Sequence, residues 1–228
     1  MFKIFRLISL LIFVMFPFST NAHVQHYKDL KSIKFDIYRN GAHIGTHIFS
    51  FKKSGDELAI KSEIKFEIKK FGIVLYKYYA EGIEIYKGNK LIKFNSTTDQ
   101  NGKLKYANIE INNNNNYIID GSAYKGEVPL EFLIGTWWNH DIVEAPAQIS
   151  AVSGRIIKQK VKFLAKEIVK FGENSYNTLH YNFSSTDKKL PKKKKLNTDV
   201  WYDEKTFNWV KASFEKKGKW EYRLVFIK

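Results

Sequence analysis

The 228-residue chain contains no cysteine. That absence removes disulfides, thiolate metal ligands and thiol nucleophiles, and with them the residue that carries a lipoprotein's anchor. Stability must therefore come from an ordinary packed core, which roughly two hundred residues are enough to form. Acids are the scarcer charge: 23 Asp and Glu stand against 38 Lys and Arg, a formal net charge of +15. With four prolines and no stretch rich in Pro, Gly and Ser, nothing marks a linker, and no internal repeat divides the chain. The Gly-x-Ser-x-Gly elbow of a serine hydrolase is absent, as are phosphate-cradling glycine loops.

The longest apolar run lies at the start. Met1-Phe2-Lys3-Ile4-Phe5-Arg6 holds two cations and no acid, and Leu7 to Phe16 carries no charge. This is the layout of a signal peptide. A membrane-spanning helix needs about 20 apolar residues, and Pro17 interrupts this run. Thr20 and Ala22 put small residues where signal peptidase requires them, so residues 1–22 read as a removed signal peptide. Residues 23–32 then form a flexible N-terminal segment, and residues 33–228 form one domain. The expected location is the periplasm, without a lipid anchor or a spanning segment.

From Ile33 onward apolar residues recur with period two, the mark of half-buried strands. Between Ala59 and Lys69 the even positions are Ile60, Ser62, Ile64, Phe66 and Ile68, while the odd ones are all charged after Ala59. Asn40-Gly41 signals a type I′ hairpin turn, and further turns fall at Gly55, Gly88, Asn101-Gly102, Gly172 and Lys217-Gly218. The pattern predicts roughly ten to twelve antiparallel strands, more than a flat sheet tolerates. The predicted fold is therefore all-β: one curled antiparallel meander, half-barrel or barrel-like. Between Val128 and Ala147 alternation lapses, predicting a lid with a short helical turn after Pro129 and the pair Trp137-Trp138.

Most candidate chemistries come apart once placed on strands. His43 and His47 would share a metal on a helix, but four strand residues hold them about 13 Å apart. His23, if it becomes the N-terminus, offers an amine and an imidazole that suit Cu(II), with no residue singled out as its partner. Glu81 and Glu84 interrupt the aromatic strand Tyr76–Tyr86, three apart and hence on opposite faces. The simplest reading pairs them with lysines of neighbouring strands. These residues predict no metal, no cofactor and no catalytic residue.

Two constellations remain. The basic run Lys188, Lys189, Lys192, Lys193, Lys194 and Lys195 sits between strands. It suits an anionic membrane surface and lacks the interleaved aromatics that nucleic acid would require. Tyr76, Tyr78, Tyr86, Trp137, Trp138, Trp201 and Trp209 are candidates for the lining of an apolar cavity, although aromatics also fill sheet cores for packing reasons alone.

The segment Phe35-Asp36-Ile37-Tyr38-Arg39-Asn40-Gly41-Ala42-His43-Ile44-Gly45-Thr46-His47 resembles the opening hairpin of a secreted bacterial family, domain-of-unknown-function family 6134. So do Tyr76-Lys77-Tyr78, Trp138-Asn139, Ala147-Gln148 to Ser153-Gly154, Trp201-Tyr202-Asp203 and Trp209-Val210. The resemblance implies an exported β fold and supplies no activity. By looser analogy the curled sheet with a lid is similar to envelope carriers of lipoprotein acyl chains. The leading functional expectation is an exported binding or accessory module for an apolar or lipid-like ligand. The alternatives are a hydrolase-type enzyme acting on an envelope component, with His140 or His180 beside an acid, and a protein–protein module.

Overall fold

The computed structural model describes Val24, residues 27–191 and residues 194–228. The predicted signal peptide, His23, His26, Lys192 and Lys193 lie outside the described residues. The strands are β1 (Ser32–Arg39), β2 (Ala42–Ser54), β3 (Glu57–Lys70), β4 (Ile73–Lys87) and β5 (Lys90–Gln100). Next come β6 (Lys103–Ile111), β7 (Asn116–Gly121), β8 (Lys125–Pro129), β9 (Leu133–Ile134) and β10 (Ala147–Ile149). The series ends with β11 (Ile156–Phe171), β12 (Asn174–Ser185), β13 (Asn197–Asp203), β14 (Trp209–Glu215) and β15 (Lys219–Ile227).

All fifteen join one sheet, ordered β8-β7-β6-β5-β4-β3-β2-β1-β15-β14-β13-β12-β11-β10-β9. The sheet is thus a meander whose first and last strands pair at its centre, from Ile33 opposite Ile227 to Arg39 opposite Trp220. Its free edges, β8 and β9, are consecutive in the chain. The strand count exceeds the predicted ten to twelve because β7 to β10 are short.

The turn between β10 and β11 closes the curl. The Ala123 N–H donates to the Ser153 carbonyl at 2.9 Å, and Ser96 Oγ donates to that of Ala151 at 2.5 Å. A Cβ on Gly121 would meet the Ser153 oxygen at 2.6 Å, so only glycine permits this approach.

Asn-Gly turns behave as their chemistry requires. Asn40-Gly41 and Asn101-Gly102 both take positive φ at each residue, the geometry of a type I′ turn. The predicted lid exists, but its single helical turn is a 3₁₀ turn at His140–Val143, later than the position after Pro129. Asn139 decides this, since its side chain caps the turn by accepting from the Asp141 N–H at 3.0 Å.

Antiparallel register sorts the connections to two ends of the curl. One end carries the turns after β1, β3, β5, β7, β10, β12 and β14, and the other carries the remaining turns and the strap of residues 135–146. At the strap end the core is filled by Trp138, Phe51, Tyr86 and Tyr27, all buried.

Candidate functional site

Glu84 anchors the strap. On β4 the even residues Ala80, Gly82, Glu84 and Tyr86 are all buried, so the carboxylate points into the core and is 1% exposed. The lysine partner predicted from the sequence is therefore out of reach at Glu84, whereas Glu81 faces outward and accepts from Tyr79 OH at 3.2 Å. Three neutral donors meet the Glu84 carboxyl: Trp138 Nε1 at 2.8 Å and Thr136 Oγ1 at 2.9 Å on Oε1, and Tyr86 OH at 2.8 Å on Oε2. Burial pushes its pKa above the ordinary carboxylate value, against the opposing pull of those donors. Around the Trp138 indole, Tyr27, Phe51 and Tyr86 stand edge-on at 5.2, 5.6 and 5.6 Å.

Two glutamines tie down the rest of the strap. Gln159 Nε2 donates to the carbonyls of Ile142 and Ala145 at 3.0 and 2.9 Å, and Gln148 Nε2 donates to Gln159 Oε1 at 2.6 Å.

Beyond this plug the curl holds an interior cavity of about 250 Å³, lined among others by His47, Tyr78, Phe94, Trp137, Trp209 and Tyr222. That is slightly below the ~300–1,000 Å³ usual for small-molecule sites. Its walls are mostly aromatic and aliphatic, yet Nδ1 of His47 and the indole nitrogens of Trp137 and Trp209 are buried with no hydrogen-bond partner in the protein. Each such group costs about 1–3 kcal/mol.

The two indoles are fixed donors. His47 Nε2 lies 3.4 Å from Ser62 Oγ, so Nδ1 donates or accepts according to the tautomer. Burial alone pushes the imidazole pKa down to about 3, which keeps the ring neutral. Trp137 also holds a left-handed backbone (φ 62), costing about 1–3 kcal/mol for such a bulky residue. Tyr202 OH supports that conformation by donating to the Trp137 carbonyl at 3.0 Å.

Of the seven aromatic candidates, Tyr78, Trp137 and Trp209 line the cavity. Tyr76 stacks on Phe66 outside the lining, at 6.1 Å between ring centres. Tyr86 and Trp138 belong to the plug around Glu84. Trp201 is on the other face of β13 from Tyr202, because strand residues alternate. There it stacks on His180 at 4.0 Å with the Lys211 ammonium 4.4 Å from its ring centre.

His180 does meet acids: its Nδ1 is 3.1 Å from Glu167 and its Nε2 is 3.5 Å from Asp199. That cluster sits on the outer face with Trp201, not in the cavity. His140 packs against Tyr202 and Phe207 in the strap. His43 is exposed and lies 3.5 Å from Asp36, while His47 is buried, so the two histidines face apart. Among the described residues no group of three or more His, Asp or Glu is placed to hold a metal.

Sequence reasoning weighed His47 only as a metal ligand and passed over Tyr222. The signal for His47 was its parity with Phe49 and Phe51, both buried. A larger depression of about 560 Å³ opens on the outer face. Its lining pairs Glu221 with Arg223 at 2.6 Å and also carries Asp36, Lys170 and Lys211, so cations exceed acids by one. The basic run forms the exposed connection between β12 and β13, where Lys188, Lys189, Lys194 and Lys195 face solvent.

A family model described as "Domain of unknown function (DUF6134)" matches residues 35–225. No curated protein matches the sequence. Among solved structures, the chain is similar to a β-barrel-like protein of domain of unknown function DUF1849 from Brucella abortus. The TM-score is 0.61 at 8% identity, over 87% of this chain and 97% of that one. At that identity the likeness concerns the fold alone, and it agrees with the curled sheet described above.

Proposed function

The chain belongs to the DUF6134 family, and from that premise we propose that it is an exported envelope protein whose curl binds an apolar or lipid-like ligand. One observation carries this reading: the aromatic cavity where the Trp137 and Trp209 N–H groups and His47 Nδ1 lack partners in the protein. A ligand oxygen accepting from the indoles would satisfy groups that are otherwise costly to bury. No lysine or arginine lines the cavity, so the favoured head is uncharged, such as a carbonyl, ester or hydroxyl. The volume admits a small molecule, or the end of one chain, and excludes a whole diacyl lipid.

Export rests on the residues before His23, and loss of the first 22 residues from the protein isolated from the periplasm would support it. For the ligand, native mass spectrometry after gentle purification is the test. The expected result is a bound apolar adduct whose occupancy falls in Trp137→Phe and Trp209→Phe. Protein that is consistently ligand-free and ignores added fatty acids, phospholipids and small esters would overturn the reading.

A further inference from the structure

The turn joining β3 to β4 is built unlike its neighbours. Where the chain turns at Asn40-Gly41 and Asn101-Gly102, asparagine takes the positive φ, which it tolerates well. Between β3 and β4 the same place is held by Phe71 (φ 50), followed by Gly72 (φ 77). A bulky aromatic there is strained, and this one is also 92% exposed. The residues that follow are apolar and exposed too: Ile73 at 67% and Leu75 at 55%. Leu104, beside the adjacent Asn101-Gly102 turn at the same end of the curl, is 80% exposed. Monomeric proteins expose single apolar residues freely, but a contiguous tip of them marks a contact.

The charges around the tip point to its partner. Lys69 and Lys70 flank it directly, and the turns at the same end bring Arg39, Arg155, Lys216 and Lys217. The exposed connection with Lys188, Lys189, Lys194 and Lys195 also lies at this end, because β12 runs toward it. Acids at this end are fewer than the cations: Asp99, Asp120, Asp187 and Glu215 lie in or beside these turns, and Glu67 pairs with Lys69 at 3.1 Å. At the strap end, cations are mixed with Asp56, Glu131, Asp141, Glu144, Glu173 and Glu204. The cavity lining reaches the basic end through Tyr78 and Leu196, whereas the strap fills the other.

We propose that the β3–β4 turn inserts Phe71, Ile73 and Leu75 into the interfacial layer of an anionic phospholipid bilayer, with the surrounding lysines at headgroup level. A tip of three or four side chains is small for a stable protein partner, which buries about 800 Å² on each side. It suffices for interfacial anchoring when cations reinforce it. Asparagine would serve the turn better in water; phenylalanine there serves the membrane.

Flotation with vesicles tests this independently of any ligand in the cavity. Protein purified after export should float with vesicles containing phosphatidylglycerol at low salt and much less with pure phosphatidylcholine vesicles. Phe71→Asn combined with Ile73→Ser should lower partitioning at least tenfold without loss of thermal stability, because it restores an Asn-Gly turn. Phe71→Trp should bind and shift its emission to the blue on vesicles. Leu164→Ser, at an exposed apolar residue on β11, should bind as wild type does. Wild-type protein that stays unbound on phosphatidylglycerol vesicles overturns the proposal. So does undiminished binding by the Phe71→Asn/Ile73→Ser variant, which would assign the contact to the lysine connection alone, or to another face.

Discussion

The Trp138 indole N–H donates to Glu84 Oε1 at 2.8 Å, and neither side chain reaches solvent. A buried carboxyl held by three neutral donors has a raised pKa, and the sign of its effect follows. Below about 4.5, the ordinary value, it is neutral in both folded and unfolded chains, and its contribution is fully present. As pH rises above that, the unfolded chain ionises first, so stability falls by up to about 1.4 kcal/mol per pH unit until the folded value is reached. Glu84→Gln keeps an acceptor for Trp138 and Thr136 and should remove this fall in urea titrations run across pH. Glu84→Leu leaves those donors and Tyr86 OH unmatched and should cost about 1–3 kcal/mol for each one.

His47 works in the opposite direction. Its folded pKa of about 3 lies far below the ordinary 6.5, so its contribution is present above 6.5 and is lost as pH falls toward 3. His47→Phe suits a site where Phe49 lies 4.2 Å away between ring centres and should flatten that acid limb. From pH 4.5 upward, until the folded Glu84 value or 6.5 is reached, whichever comes first, the two groups oppose each other. Glu84→Gln should therefore leave a stability that rises with pH, and His47→Phe one that falls. A double variant that kept either slope would show that another group controls it.

The regular part of the fold was legible in the sequence because it is local. The alternation from Ala59 to Lys69 lies within β3, and the Asn-Gly turns fall where asparagine chemistry puts them. The site was less legible because bulges and long-range pairing decide which way side chains face. In β2, Ile44 is an extra residue, since Ile37 pairs with Gly45 and Tyr38 with His43. That bulge turns His43 out while His47 turns in. In β14, Val210 does the same, with Trp201 opposite Lys211 and Tyr202 opposite Trp209. Two tryptophans that look alike in the sequence thus end on opposite faces. Glu84 looked like half of an ion pair because two of its three donors, Thr136 and Trp138, lie in the strap, more than fifty residues away in the chain. The Phe71-Gly72 turn gave no signal because phenylalanine is not a turn residue.

The strap should come loose without the sheet unfolding. Gln159→Leu leaves the carbonyls of Ile142 and Ala145 and the Gln148 amide without partners, at about 1–3 kcal/mol per buried group. Hydrogen exchange should accelerate at residues 140–145 and stay slow in β3 and β4. Uniform acceleration across the sheet would mean that the strap and the sheet unfold as one unit.

Two glycines separate closure of the curl from formation of the sheet. A Cβ on Gly45 would lie 2.0 Å from the Lys65 carbonyl oxygen and 2.5 Å from Phe66 Cβ, at the end pair of the β2–β3 ladder, where Gly45 is also paired with Ile37 of β1. The obstacle is largely backbone and cannot swing aside, so Gly45→Ala should cost at least the upper part of the ~1–3 kcal/mol range for overpacking and lower the melting temperature of the whole domain. At Gly121 the obstacle is the Ser153 carbonyl at 2.6 Å, on a turn rather than inside the sheet. Gly121→Ala can be relieved by moving that turn away, which breaks the Ala123 N–H bond to Ser153 and shifts Ser150, Ala151 and Val152 in the cavity wall. Its expected signature is local: fast exchange at the Ala123 amide and stronger binding of an apolar dye, with a melting temperature only modestly lowered. Equal global destabilisation by the two variants would show instead that the curl and its closure form cooperatively.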